Sequence, residues 1–442
     1  MLVPQSFSTY TLERHVQGAA IKRILAAALQ AVDPQTAVSH FVQRQGDVLF
    51  VDGQAYPLGK NGRIILIGLG KAAQAMTLPL ATLLADFSLS GLIISKHAIL
   101  PMTGFEIQPG GHPMPDENSL RAGEKAIRLV HDLDENDLVL CLISGGGSAL
   151  MSAPQAGISL LDMRGLTAAL LGCGARIDEI NCLRRHLDRL KGGGLARLAF
   201  PARVVSLILS DVVDNSLETI ASGPTAPDPS TRLDALAILE KYELNSRTPV
   251  EIVRALQVSP ETSGADDPIF ERVQNVIIGS NALVVNAVLR QAQAEGITAF
   301  SLGSEWQGEA RQVAGHFCQM FGSVPYPRPF CMAAGGETTV SLRGSGKGGR
   351  NQELALAAVR VLAGMQNSLL VTFATDGEDG PTDAAGAVVS SETLQRGLDR
   401  GFSPDEFLEN NDAYTYFGAL SDLLKPGPTG TNVNDLTLMF GF

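Results

Sequence analysis

The feature that most constrains the fold is an alternation along the chain. Short, apolar, β-branched runs are separated by longer amphipathic stretches. Runs with strand character cover Arg63–Gly70, Gly91–Lys96, Leu138–Ser144, Val204–Asp211, Asn275–Ser280, Ile297–Ser304, Phe330–Gly335 and Leu369–Asp376. Helical periodicity covers Leu12–Val32, Lys71–Leu84, Glu117–Leu133, Leu160–Leu171, Glu179–Leu190, Asn281–Glu295, Gly308–Phe321 and Gln352–Ala363. Apolar strands joined by helices predict an α/β fold, with parallel sheets covered by helices on both faces. At 442 residues the chain exceeds one ordinary core. Two domains are expected, residues 1–245 and 246–442, because strand–helix alternation restarts near Asn275. The stretches Ser222–Ser230 (SGPTAPDPS) and Pro325–Pro329 (PYPRP) are candidate boundaries.

Composition removes several function classes. Hydrophobic residues make up 45% and charged residues 18%, enough for a large core. The net charge of −12 and only 5% aromatic residues argue against nucleic-acid binding. An acidic protein can bind anionic substrates if its few cations are concentrated in one place. The five cysteines are odd in number and form no CxxC pair, so free thiols in a reducing compartment are expected. MLVPQSFSTYTLERH is not a signal peptide, and no apolar run reaches the ~18 residues a membrane span requires. A cytoplasmic protein without nucleic-acid or membrane partners follows.

In parallel α/β sheets, ligands bind beyond the carboxyl ends of the strands. The first strand runs into Gly68-Leu-Gly70-Lys71-Ala-Ala73, close to a dinucleotide fingerprint. A Rossmann dinucleotide site needs a carboxylate about 20 residues on, yet the second strand ends Ser95-Lys96-His97. Lys71 instead places a cation at a helix start, where the dipole already favours anions; the alternative is a plain surface lysine. Ser144-Gly145-Gly146-Gly147-Ser148 follows the third strand and either cradles an anion or makes a tight turn. Asp211, closing the fourth strand, binds Mg²⁺, accepts a hydroxyl proton, or caps the next helix.

The last third is denser. After Gly335-Gly336-Glu337-Thr338-Thr339 comes Arg343-Gly-Ser-Gly-Lys347-Gly348-Gly-Arg350, with four glycines and three cations in eight residues before an apolar helix. This is not a Walker A loop, since glycine follows Lys347; a solvated loop is the alternative. Asp376-Gly-Glu378-Asp379-Gly-Pro-Thr-Asp383 brings four carboxylates together, a candidate Mg²⁺ site or an Asp/Gly-rich turn. No HExxH, zinc spacing or GxSxG elbow occurs. His112, in GGHPMPDENS, is either a substrate contact or a structural loop histidine. The sum is an anion-binding cleft with carboxylates fit for a divalent cation, which suits phosphoryl transfer.

At these residues the sequence resembles the class II glycerate kinases, the family with a MOFRL C-terminal domain. The matching stretches are GLGKAA, GGHPMPDENS, LISGGGSAL, LSDVVDNSLETIASGPT, IGSNALVVNA, GGETTVSLRGSGKGGRNQELAL, ATDGEDGPTDAAGA and TGTNVNDL. The resemblance implies an N-terminal Rossmann-like domain and a smaller C-terminal α/β domain, MOFRL-like over about 328–436, with the active site between them. It implies phosphorylation of D-glycerate at the 2-hydroxyl with ATP and Mg²⁺. Its active-site residues fall on Lys71 and Arg350, and the two are expected to converge on one pocket. On this reading Asp211 joins them in catalysis. Gly70, Ser144, Gly145, Gly146, Gly147, Ser148, Ser280, Asn281, Glu337, Thr338, Lys347 and Gly348 hold ATP or substrate. Asp211, Glu337, Asp376 and Asp379 hold the metal. A homodimer is left open. The rivals are an NADP-dependent hydroxypyruvate reductase, supported by the Gly68–Ala73 pattern and Lys96, and a sensor that binds without turnover.

Overall fold

The apolar runs bury both faces, so each must be covered twice. In the computed structural model, which describes residues 3–59, 62–96, 100–245, 247–324 and 327–442, they do so in two compact units. One spans Ala37–Ile278; the other joins Met1–Thr36 to Gly279–Phe442.

The first unit holds a six-stranded sheet: β1 (Ile64–Leu69), β2 (Leu89–Ser95), β3 (Phe105–Pro109), β4 (Leu138–Ile143), β5 (Arg203–Leu209) and β6 (Val273–Gly279), in the order β3-β2-β1-β4-β5-β6. The pairs β1–β2, β2–β3, β1–β4 and β4–β5 are parallel. Successive strand residues alternate between two cores. Ile65, Ile67, Val139 and Cys141 face one, and Ile64, Leu66, Leu138 and Leu140 the other. The strand order reverses between β1 and β4, the switch point where such sheets bind ligands.

The second unit is mixed, which corrects the expectation of parallel sheets throughout. Its seven strands are β7 (Thr298–Ser301), β8 (Trp306–Glu309), β9 (Phe330–Thr339), β10 (Ser368–Ala374), β11 (Gly386–Ser390), β12 (Leu423–Leu424) and β13 (Asp435–Gly441). The terminal strand β13 inserts antiparallel between β9 and β10, pairing Gly336 and Ala374 with Asp435. Its apolar run needs two covered faces and finds them only in the sheet's centre.

Two further expectations change. The boundary near residue 245 does not mark the division, because Val273–Gly279 completes the first sheet and the chain changes unit after it. The helix expected over Leu12–Val32 breaks into Tyr10–Arg14 and Gly18–Gln30. A Cβ on Gly18 would lie 1.7 Å from the Leu12 carbonyl oxygen, so the chain turns there too tightly for any side chain. Of the punctuation expected at Pro325–Pro329, residues 325 and 326 lie outside the described residues, as does His97.

Candidate functional site

The sequence-predicted residues gather into one cluster on each unit. On the Ala37–Ile278 unit, the ends of β1 and β4 interlock. The Ala72 amide donates to Ser144 Oγ at 3.0 Å, and the Lys71 amide to the Gly145 carbonyl at 3.3 Å. Gly70 has φ +117°, and a Cβ there would meet the Ser144 carbonyl oxygen at 2.4 Å, so this crossing requires glycine. Lys71 stands exposed just before helix α1 (Ala73–Leu83). Ser144 is buried and works as a structural tie. Asp211 lies over the SGGGS loop, with its Oδ2 2.3 Å from where a Gly145 Cβ would be. Ser148 Oγ shares a hydrogen bond of 2.7 Å with Ser222 Oγ.

Ser222 entered the sequence reading within a candidate boundary and a matching stretch, not as a site residue. Both Ala221 and Ser222 adopt left-handed φ, +51° and +61°, which side chains tolerate only under strong constraint. The constraint comes from Lys191-Gly192-Gly193. The amides of Gly192 and Gly193 donate to the carbonyls of Ser222 and Gly223. Buried Lys191 binds the Met151 carbonyl and Asp188 at 3.2 and 2.7 Å. Asp188 in turn accepts from Ser152 and the Ala153 amide, so one buried ion pair fixes the stretch after the SGGGS loop.

On the second unit, the cluster centres on Arg350, at the start of helix α3 (Arg350–Leu362). Its Nε donates to Asp435 Oδ2 at 2.6 Å, its Nη2 to Asp435 Oδ1 at 3.2 Å, and its Nη1 to Glu337 Oε1 at 2.6 Å. This fork holds the guanidinium in one orientation. Burial by itself lowers the Arg350 pKa, but Asp435, Glu337 and Asp379 outweigh it and raise it. Burial pushes the Asp435 carboxyl up to about 7 against the pull of Arg350. Asp435 is the partner that sequence reasoning missed. It opens β13 inside TGTNVNDL, a polar residue before an apolar run, but nothing local announces a contact 85 positions away.

Arg350, Thr338, Gly348, Asp376, Glu378 and Asp379 all line a cavity of about 680 Å³. Two of the carboxylates expected to hold the metal have other tasks. Asp379 is buried, and its two oxygens take the Asn351 and Gln352 amides at 3.1 and 2.9 Å. It therefore closes the open end of α3, and burial raises its pKa. Glu337 accepts from Arg350 through one oxygen, Oε1. Among the described residues, no three His, Cys, Asp or Glu side chains lie together as a metal site. On this unit the expected carboxylates are not gathered into one site, because Asp379 and Glu337 satisfy donors of the protein itself.

The glycine-rich loop also differs from expectation. The amides of Arg343 and Gly344 donate to Asn411, those of Ser345 and Gly346 to Asn410, and that of Lys347 to Asp412. Those five donors cannot also cradle phosphates. The glycines serve close packing, since a Cβ on Gly346 would lie 2.4 Å from that of Asp412. Lys347 Nζ rests 4.3 Å above the Tyr414 ring. Ser280 caps helix α2 (Asn281–Ala294), accepting from the Leu283 amide. Asn281 is buried and donates to the Val433 and Asp435 carbonyls, fixing the backbone that carries Asp435. Both are supports for Arg350 in this structure.

Comparison with known proteins finds similarity to glycerate kinases. Residues 20–257 match a domain of unknown function (DUF4147), and residues 330–435 match the MOFRL family. The chain is 41% identical to the D-glycerate 2-kinase of Thermotoga maritima, covering 94% of this chain and 96% of that one. It is 38% identical to the glycerate 2-kinase of Pyrococcus horikoshii, covering 94% and 95%. It is 37% identical to a putative hydroxypyruvate reductase of Agrobacterium vitis, covering 94% and 92%. Among solved structures, it resembles a glycerate kinase from Thermotoga maritima with a TM-score of 0.86 and 38% identity, over 95% of this chain and 98% of that one.

Proposed function

The chain belongs to the MOFRL family of glycerate kinases, and from that premise we propose that it transfers the γ-phosphoryl group of ATP to the 2-hydroxyl of D-glycerate. The observation that carries the reading is the Arg350 fork. A guanidinium held by Asp435 and Glu337 at a cavity edge keeps two of its five N–H donors for a ligand. Phosphoryl transfer needs such positioned charge more than covalent chemistry. The relatives' names supply the substrate.

Lys71 offers a second cation at the SGGGS cluster, and Ser148 with Ser222 offers paired hydroxyls. Mg²⁺ fits a reduced role. It is held by one or two carboxylates together with nucleotide phosphates, and Asp376, half-buried at the Arg350 cavity, is the carboxylate best suited. Bound there, it would neutralise phosphate charge. A cytoplasmic setting that supplies ATP belongs to the same reading. The test compares ATP consumption with D-glycerate against NADPH oxidation with hydroxypyruvate. Phosphorylation without NADPH oxidation is expected; the reverse would make the chain a reductase.

A further inference from the structure

His112 sits on the SGGGS loop of the first cluster, and the mechanism above does not use it. A Cβ added at Gly146 would come within 3.0 Å of its Cδ2 and 3.2 Å of its Nε2, so Gly146, at φ +87°, is bare where the imidazole lies. The loop carrying the ring is fixed from behind: the Gly111 amide donates to Asp116 Oδ1 at 3.0 Å and Ser119 Oγ at 2.9 Å. The ring itself has no hydrogen-bond partner among the described residues, and it is only half-buried. The loop is therefore held in place, and the ring nitrogens are open to a ligand.

From this geometry we propose that His112 is the general base of the kinase reaction, taking the proton from the hydroxyl that attacks ATP. The inference rests on the phosphoryl-transfer reading above. In the step, a ring nitrogen's lone pair accepts the hydroxyl proton while the hydroxyl oxygen bonds to the γ-phosphorus. The bond from that phosphorus to the bridging oxygen breaks, its electron pair leaves with ADP, and the imidazolium later returns its proton to water.

The surroundings suit a base. Burial first, then the charges of Lys71 and Lys96, lower the His112 pKa, so its ring is neutral with a free lone pair at neutral pH. The same two ammonium groups attract the anionic substrate to the ring. Asp211, over the adjoining Gly145, and Asp116, at the loop's base, are the carboxylates of the surrounding elements. The sequence expectation that a carboxylate takes the proton is thereby replaced.

The test measures steady-state kinetics of His112→Gln beside wild type across pH 5 to 9, with folding checked by thermal unfolding. The expected result is a kcat loss of about 100-fold or more, KM values for ATP and D-glycerate within about threefold, and no acid limb in the rate profile. For His112→Ala, added imidazole should restore part of the rate. A kcat within threefold of wild type, a loss confined to KM, a surviving acid limb or absent rescue would each overturn the assignment. If His112→Gln does not fold, the imidazole rescue of His112→Ala decides alone. Wild type that turns over no glycerate would instead overturn the kinase reading, and this inference with it.

Discussion

Arg350 and Lys71 hold their charges in opposite ways. Lys71 is solvated at a helix start, and removing it disturbs nothing beneath. Arg350 neutralises a buried carboxylate, so removing it strands Asp435. Either alanine variant should lower kcat/KM about 100-fold or more, roughly 3 kcal/mol at the transition state. Lys71→Ala should keep the wild-type Tm, whereas Arg350→Ala should lower it. Adding Asp435→Asn to Arg350→Ala should recover Tm without recovering activity. Calorimetry and a coupled assay read both; activity restored by Asp435→Asn would mean that Arg350 is structural only. A second residue sets the pH behaviour. Burial alone would raise the Asp137 pKa, but hydrogen bonds from Arg63 and the Asp134 and Arg63 amides outweigh it and hold it below its ordinary value. A depressed carboxyl stabilises above its unfolded pKa and loses that contribution as pH falls through its folded value. Asp137→Asn should therefore cost about 2 kcal/mol at neutral pH. Its Tm deficit relative to wild type should close in strongly acidic buffer. A deficit constant from pH 7 to 2 would contradict this.

At the scale of elements, the start of α3 depends on a close approach between Gly349 and Asp379. A Cβ on Gly349, whose φ of −144° suits any residue, would lie 2.3 Å from the Asp379 carboxyl carbon. Gly349→Ala should push Asp379 off the helix end, destabilise the protein by about 1–3 kcal/mol and displace Arg350. Activity should fall at least tenfold; an unchanged Tm and rate would show that the cap is dispensable. The same element marks how far the sequence could be read. Strands such as Ile64–Leu69 and Leu138–Ile143 were legible because parallel strands bury both faces and read as unbroken apolar runs. Their ends therefore led directly to Lys71 and the SGGGS loop. Nothing local in the sequence ties Asn410-Asn411-Asp412 to the glycine-rich loop or Asp435 to Arg350. Hydrogen bonds between distant segments leave no periodic trace, so the loop appeared free to hold phosphate when its donors were already engaged.

For the whole molecule, the chain's two ends belong to one unit, which no local pattern signals. Phe7, Leu12, Ile21, Ile24 and Leu25 share a buried core with Val284, Phe373 and Phe440. Deleting residues 1–36 should expose that core and leave the protein aggregated, as size-exclusion chromatography would detect; a soluble, active truncation would contradict the unit's composition. The central claim concerns chemistry, and ³¹P NMR of the products from ATP, Mg²⁺ and D-glycerate tests it most directly. The predicted spectrum shows ADP and 2-phosphoglycerate growing in equal amounts. Accumulation of 3-phosphoglycerate, or of inorganic phosphate with no phosphorylated acid, would contradict it.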